Sequence, residues 1–253
     1  MKYLALALMV GPTPVPEAIR RCERLLEEVA SKPALELMVT GFLANLLAMA
    51  GRLAEAAELM EQGRRLRDER VGRFWFFPHE FGLQTLMADD PAAAERELRW
   101  GYEVQKKIGG TEYFSTITAL LARALYAQGR DEEAEQLTLE CEQVARPNDV
   151  ISNILWRATR AQVLARRREH AAATALAREA VAFAAESDFL DAHGDALRDL
   201  AEVHRLAGRA DQARAALEQA LQLYEQKGSL VSAGKARDLL EGIDENTPSA
   251  RCS

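Results

Sequence analysis

The chain has 253 residues, 48% of them hydrophobic, 28% charged and 6% aromatic, a composition rich in strong helix formers that excludes disorder and points to an all-helical protein. A formal net charge of −7 offers no basic face to displace counterions, so nucleic-acid binding is not expected. No apolar run approaches the ~20 residues that cross a bilayer, and Cys22, Cys141 and Cys252 show neither zinc spacing nor a disulfide framework, so a cytoplasmic setting is expected.

The opening MKYLALALMVGPTPVPEAIRRCERLL admits two readings of LALALMV. A signal peptide needs a basic start, an apolar core and a small-x-small cleavage site. One Lys precedes this run and no such site follows it. The other reading, the end of a helix, agrees with the rest of the chain. Its turns recur as LLAMAGRLAEAAEL, LMADDPAAAERELR, LYAQGRDEEAEQL, LARRREHAAATAL and HRLAGRADQARAAL. The pivots Gly51, Asp89, Gly129, Arg168 and Gly208 lie 38 to 40 residues apart. Five residues after each comes an alanine: Ala56, Ala94, Ala134, Ala173 and Ala213. Seven further on stand Gly63, Gly101, Cys141, Ala180 and Ala220, and seven before the pivots stand Ala44, Gly82, Ala122, Ala161 and Ala201.

Antiparallel helices approach closely only where such small side chains face each other, while leucines fill the flanking grooves. The pattern predicts a right-handed α-solenoid of about six tetratricopeptide-like hairpins, with first helices about one turn longer than usual. HEAT-like packing, with a period also near 40, is the alternative. Ala18 aligns with Ala56, which makes residues 16–30 a second helix after a GPTP turn, with Pro16 in its first turn. The first hairpin is then expected to be cut short at its N-terminus. At 73–82, RFWFFPHEFG places Pro78 where a first helix should run. Either that helix starts near Phe77 or it is kinked. The segment SLVSAGKARDLLEGI reads as a lone capping helix. The expected organisation is one solenoid domain over 1–242 and a polar, disordered tail over 243–253.

The run of GPTPVPEAIRRCE, ADDPAAAERELRWGYE, LARALYAQGRDEEAEQLT, LWRATRAQVLARRREH and DFLDAHGDALRDLAEVHRLAGRADQARAALEQALQLYEQKG resembles the C-terminal tetratricopeptide-like region of multidomain bacterial adenylate/guanylate cyclases. In that family a class III cyclase domain and an AAA/STAND-type ATPase precede the helical repeats. The resemblance covers nearly the whole chain. It implies a regulatory or interaction module acting on catalytic domains in cis, and is similar also to the helical sensor regions of maltose-regulator-type transcription factors. The aromatic stretch at 73–82 departs from the family pattern.

The family's catalytic equipment is absent. GSLVSAGKA, Gly228 to Ala236, has five residues between its glycines and Ala where a phosphate-binding loop needs Ser or Thr. HExxH is absent, and Ser and Cys lack a base partner. Asp188, Asp191, Asp195 and Asp199 share one helix face near His193; a charged, solvated face is the plainer reading beside a metal site. No catalytic residue, cofactor or metal is expected. The chain reads as a non-catalytic interaction or sensor module, with a stand-alone adaptor or scaffold as the alternative.

First helices of such solenoids line the concave groove, the usual recognition surface for a protein or peptide segment. Counting back from the pivots places Asn45, Phe76, His79, Arg123, Tyr126, Gln162, Asp195, Arg198 and Glu202 in it. The first half is apolar to aromatic and the fifth repeat is mixed in charge. The groove lacks the Lys and Asn set of a chaperone carboxylate clamp. Trp75 and Phe77, within the run from Phe74 to Phe81, are candidates for an exposed aromatic hot spot or for filling a gap around Pro78. Trp156 with Arg157 is a weaker candidate. No membrane partner is expected, and oligomerisation is left open.

Overall fold

The small-residue register translates directly into paired helices. A computed structural model describes residues 1–71, 78–109 and 113–246. Among these, α1 (Lys2–Val10) pairs with α2 (Val15–Val29), α3 (Pro33–Met49) with α4 (Leu53–Leu66), and α5 (Pro78–Met87) with α6 (Pro91–Lys107). Next, α7 (Phe114–Ala127) pairs with α8 (Asp131–Val144), α9 (Val150–Arg166) with α10 (His170–Ala185), and α11 (Leu190–Leu206) with α12 (Ala210–Lys227). The last helix, α13 (Leu230–Asn246), follows alone. The described residues thus form an α-solenoid of tetratricopeptide-like hairpins and contain no strand. Pro78 is the first residue of α5, where its missing N–H costs no helical hydrogen bond. The extra length of the repeat is not confined to the first helices, because second helices reach 18 residues in α12.

Each pivot adopts a left-handed backbone: Gly51 at φ 77°, Asp89 at 59°, Gly129 at 76°, Arg168 at 66° and Gly208 at 71°. The amide after the pivot then reaches back five residues, as in Arg52 N–H to Leu47 O at 2.9 Å and Arg209 N–H to His204 O at 2.9 Å. This is a Schellman closure, which satisfies an orphan carbonyl while reversing the chain. Asp90 and Asp149 begin α6 and α9 by accepting the amides of Ala93 at 2.8 Å and Ser152 at 3.2 Å, satisfying donors at the other helix end.

Five residues beyond each pivot the alanine is completely buried, at the point where the two helices cross. Cys141 occupies one of the second small positions and is equally buried, and burial pushes its thiol up to about 12. It is packing material, not a nucleophile. Trp156 is also core. It packs with Ala119 and Cys141 under the guanidinium groups of Arg157 and Arg160, at 4.2 and 4.5 Å from its ring. An exposed aromatic contact at Trp156 is therefore ruled out, because its ring is covered from both sides of the sequence.

The two ends of the array meet. Lys227, at the end of α12, has no exposed surface. Its Nζ donates to the carbonyls of Leu8 at 3.1 Å, Gly11 at 2.6 Å and Thr13 at 2.8 Å, across the turn from α1 to α2. Three acceptors satisfy three ammonium protons, which is the condition for leaving that group inside. Lys235 on α13 adds a second tie, donating to Met87 O at 3.1 Å and pairing with Asp89 at 2.7 Å. The end of α12 thus closes the superhelix onto the α1–α2 turn, and the capping helix packs on α3 and reaches α5 rather than ending in solvent.

The small positions can be tested at Gly82, where an added Cβ would sit 2.4 Å from Leu98 Cγ. Leu98 is itself fully buried. Gly82→Ala is expected to cost about 1–3 kcal/mol through overpacking, read from urea unfolding. A Leu98→Ala background should remove that cost, so the double variant is expected to be no less stable than Leu98→Ala alone.

Candidate functional site: the central cavity

Closure bounds a partly open cavity of about 1320 Å³, larger than the roughly 300–1,000 Å³ of small-molecule pockets. First helices supply most of its wall, as their inward position requires, and α13, the ends of α6 and α8 and the segment between α8 and α9 add to it. Its apolar side comes from Leu6, Met9, Phe42, Leu83, Leu86 and Leu155. Of the sequence-predicted groove residues, Asn45, His79, Arg123, Tyr126, Gln162, Asp195 and Arg198 line it together. Glu202 does not. It lies beyond the lining of α11, held by Arg205 at 2.7 Å. Phe76, Trp75 and Phe77 lie outside the described residues.

Across the cavity's centre, Arg123 Nη2 on α7 donates to both oxygens of Asp199 on α11, each at 2.6 Å. Asp199 is 3% exposed and also accepts a long bond from Gln162 Nε2 at 3.4 Å. One carboxylate thereby ties together three repeats. Beside it, Asp195 pairs with Arg198 at 2.9 Å and accepts the Tyr224 hydroxyl at 2.8 Å. The aspartate row of α11 is thus not a solvated face: its repeat turns it inward, against α7, α9 and α12. No group of three or more His, Cys, Asp or Glu among the described residues could hold a metal ion.

The remaining lining cations are also engaged or peripheral. Lys106 pairs with Glu140 at 3.1 Å and Lys235 with Asp89 at 2.7 Å, while Arg146 is exposed. Asp191 makes no ion pair among the described residues, and its Oδ1 is buried without a hydrogen bond. Burial, with Asp195 adding its charge, pushes the Asp191 carboxyl up to about 7. Burial also lowers the Lys227 amine to about 8. Tyr126, its ring 3.6 Å from the Arg166 guanidinium, is pushed up to about 12 by burial.

At the opposite wall, Asn45 Nδ2 donates to Gly41 O at 3.0 Å and Glu80 O at 3.4 Å. Two carbonyl partners fix the amide's orientation, so its Oδ1 is left buried and unpartnered. Glu80 is 2% exposed; its Oε1 lies 2.9 Å from His79 Nε2, while Oε2 has no partner. The His79 ring stacks on Tyr113 with centroids 4.5 Å apart. Glu80, Tyr224 and Lys227 escaped the sequence reading, and Asp191 and Asp199 were read there as part of a charged, solvated helix face. For Asp199 and Asp191 the signal was present, since carboxylates stood at inward positions of a first helix.

Residues 194–227 match the tetratricopeptide repeat. Comparison with curated proteins returns no match. Among solved structures, NprR in complex with its cognate peptide NprX is similar, with a TM-score of 0.69 and 12% identity over 91% of this chain and 68% of that one. The apo quorum sensor NprR from B. thuringiensis gives 0.58 and 12% over 87% and 64%. BtubC from P. vanneervenii gives 0.54 and 15% over 98% and 96%. At such identities the likeness establishes the fold alone. Among the described residues no helix is long and apolar enough to cross a membrane.

The central pair is expected to behave as a buried ion pair. Arg123→Met leaves Asp199 only the longer pair with Arg198 at 3.7 Å, and should cost about 3 kcal/mol, the lower end of what breaking a buried pair costs, in urea unfolding. The Arg123→Met/Asp199→Leu double variant should lose less than the single one. The raised Asp191 carboxyl binds its proton more tightly in the folded state, so its contribution to stability is present near pH 4 and lost as pH rises through 7. Asp191→Asn is therefore expected to unfold at a higher urea midpoint than the parent at pH 8, with the difference vanishing near pH 4.

Proposed function

We propose that this chain is a non-catalytic recognition module that holds a linear peptide segment in its central cavity. The observation that carries the reading is the inward convergence of Asn45, His79, Arg123, Tyr126, Gln162, Asp195 and Arg198, from five first helices, on one cavity with a continuous apolar wall. A hollow of that size with dispersed polar groups suits an extended chain better than a compact cofactor. The likeness to NprR bound to its peptide supports the reading, and the superhelix is nearer in TM-score to that form than to apo NprR. As a further part of the proposal, the module is the regulatory tail of a multidomain cyclase/ATPase signalling protein and passes binding to catalytic domains in cis. The resemblance of its segment order supports that context. Coding DNA upstream of Met1 that continues in frame into a phosphate-binding loop and a cyclase-like domain would agree with it; a stop codon there would favour the stand-alone adaptor.

Binding is tested with a synthetic library of end-blocked octapeptides, selected on the full chain and read by mass spectrometry. Ala192 lines the cavity and is only half-buried, so Ala192→Trp fills space without replacing a core side chain. Selected peptides are expected to lose at least about tenfold in affinity on that variant, its helicity being checked by circular dichroism. Equal binding to both proteins, or no selection at all, would overturn the cavity reading.

A further inference from the structure

Two independent balances in the cavity wall lean the same way. The first is charge. Eight carboxylates and five lysines and arginines line the cavity. Arg123, Arg198, Lys106 and Lys235 are each matched to a lining carboxylate, and Arg146 is exposed. The surplus is therefore anionic, and it includes Asp191, which has no ion-pair partner among the described residues. The nearest cations do not cancel it. Arg198 is held by Asp195 at 2.9 Å, and Lys227 directs its protons to three main-chain carbonyls.

The second balance is in hydrogen bonds. Among lining residues at least nine-tenths buried, Asn45 Oδ1, Glu80 Oε2, Gln162 Oε1 and the Tyr126 hydroxyl have no partner. The Gln162 amide nitrogen faces the Asp199 carboxylate, which settles that its oxygen is the free end. Asp191 Oδ1 joins these. Four of the five are acceptors, and the Tyr126 hydroxyl can either donate or accept. A buried acceptor left without a donor loses its hydration with nothing in return, and such atoms kept in a cavity wall mark where something else donates. A wall with an anionic surplus, and with acceptors outnumbering donors among its unpartnered buried atoms, does not suit an acidic or acceptor-rich ligand.

We propose that the occupant of the cavity is a peptide with a Lys or Arg side chain at one end and apolar side chains along its body. The basic group sits at the Asp191 and Asp195 end of α11, and the apolar body lies along Phe42, Leu83, Leu86 and Leu155. The site is built for this order. Its apolar wall comes from the first repeats and α9, while Asp191, Asp195 and Asp199 belong to α11, which closure brings beside α1. Shape and apolar burial set the affinity, and the unmatched carboxylate sets which end of the peptide enters where. This inference rests on the cavity reading above and narrows it to a ligand class.

The end-blocked octapeptide library separates the two, since every charge in it comes from side chains. Peptides that bind the parent chain and are lost on Ala192→Trp are expected to carry Lys or Arg within two positions of one end. Resynthesised, they should bind Asp191→Asn about tenfold more weakly, the scale of one lost charge-assisted contact. Versions with norleucine in place of the basic residue should bind the parent and Asp191→Asn alike. Asp191→Asn keeps the side chain's shape and removes an unpaired charge, so it should fold, and its urea midpoint checks that. Selected peptides that are acidic or uncharged yet still lost on Ala192→Trp would overturn the cationic assignment and leave the cavity reading standing. So would a basic peptide indifferent to Asp191→Asn. Peptides indifferent to Ala192→Trp would overturn both.

Discussion

The structure depends on how closely two helices can approach across a tight reversal. At every pivot a left-handed residue turns the chain, and five residues later a fully buried alanine meets the small residue of the preceding helix. A larger side chain there would push the helices apart, as the clash of an added Cβ on Gly82 with Leu98 illustrates. Because the approach is nearly the same in each pair, each hairpin is rotated by a similar amount on the last. Repetition of that rotation produces curvature, and curvature over six hairpins brings the ends together.

What the ends do on meeting is a matter of polar chemistry. Lys227 replaces its hydration shell with three carbonyls of the α1–α2 turn. Gly228, left-handed at φ 79°, passes close to Val15 and Pro16 at the same junction. Ion pairs between neighbouring repeats add to the closure at the periphery: Arg64 with Glu97, Arg166 with Asp131, and Arg167 with Glu135. Those contacts are partly exposed and individually weak. The enclosed pair of Arg123 and Asp199 is different. It lies in the cavity wall with both side chains largely buried, and water does not screen it in the same degree. A structure of this kind is held apart as much as it is held together, since its polar interior maintains a space that apolar side chains would otherwise fill.

That space explains the mixed character of the site. First helices must present one face to neighbouring pairs and another to the hollow, so their inward positions are free of the small-residue rule. There the chain places an aromatic stack, a buried glutamate and the aspartates of α11. Two buried thiols, Cys22 and Cys141, lie on the packing side and are pushed upward by burial. Chemistry-bearing residues are thus sorted by the same geometry that sorts large from small.

The sequence by itself determined the helical class, the pivots, the register of small residues and the identity of the inward face. Each of these is a local or periodic property: the φ that Gly tolerates, the volume of Ala, the 3.6-residue turn. Seven of the residues placed in the groove line the cavity for that reason. Only the tertiary structure decided that the groove closes, that Asp199 lies under Arg123, and that Asp191 has no ion-pair partner among the described residues. Those facts join residues 76 positions apart for the central pair and more than 200 apart for the Lys227 clasp. They depend on accumulated rotation over the whole array. A small difference per repeat would open the ring and return the same aspartates to water, so no local pattern could have announced them.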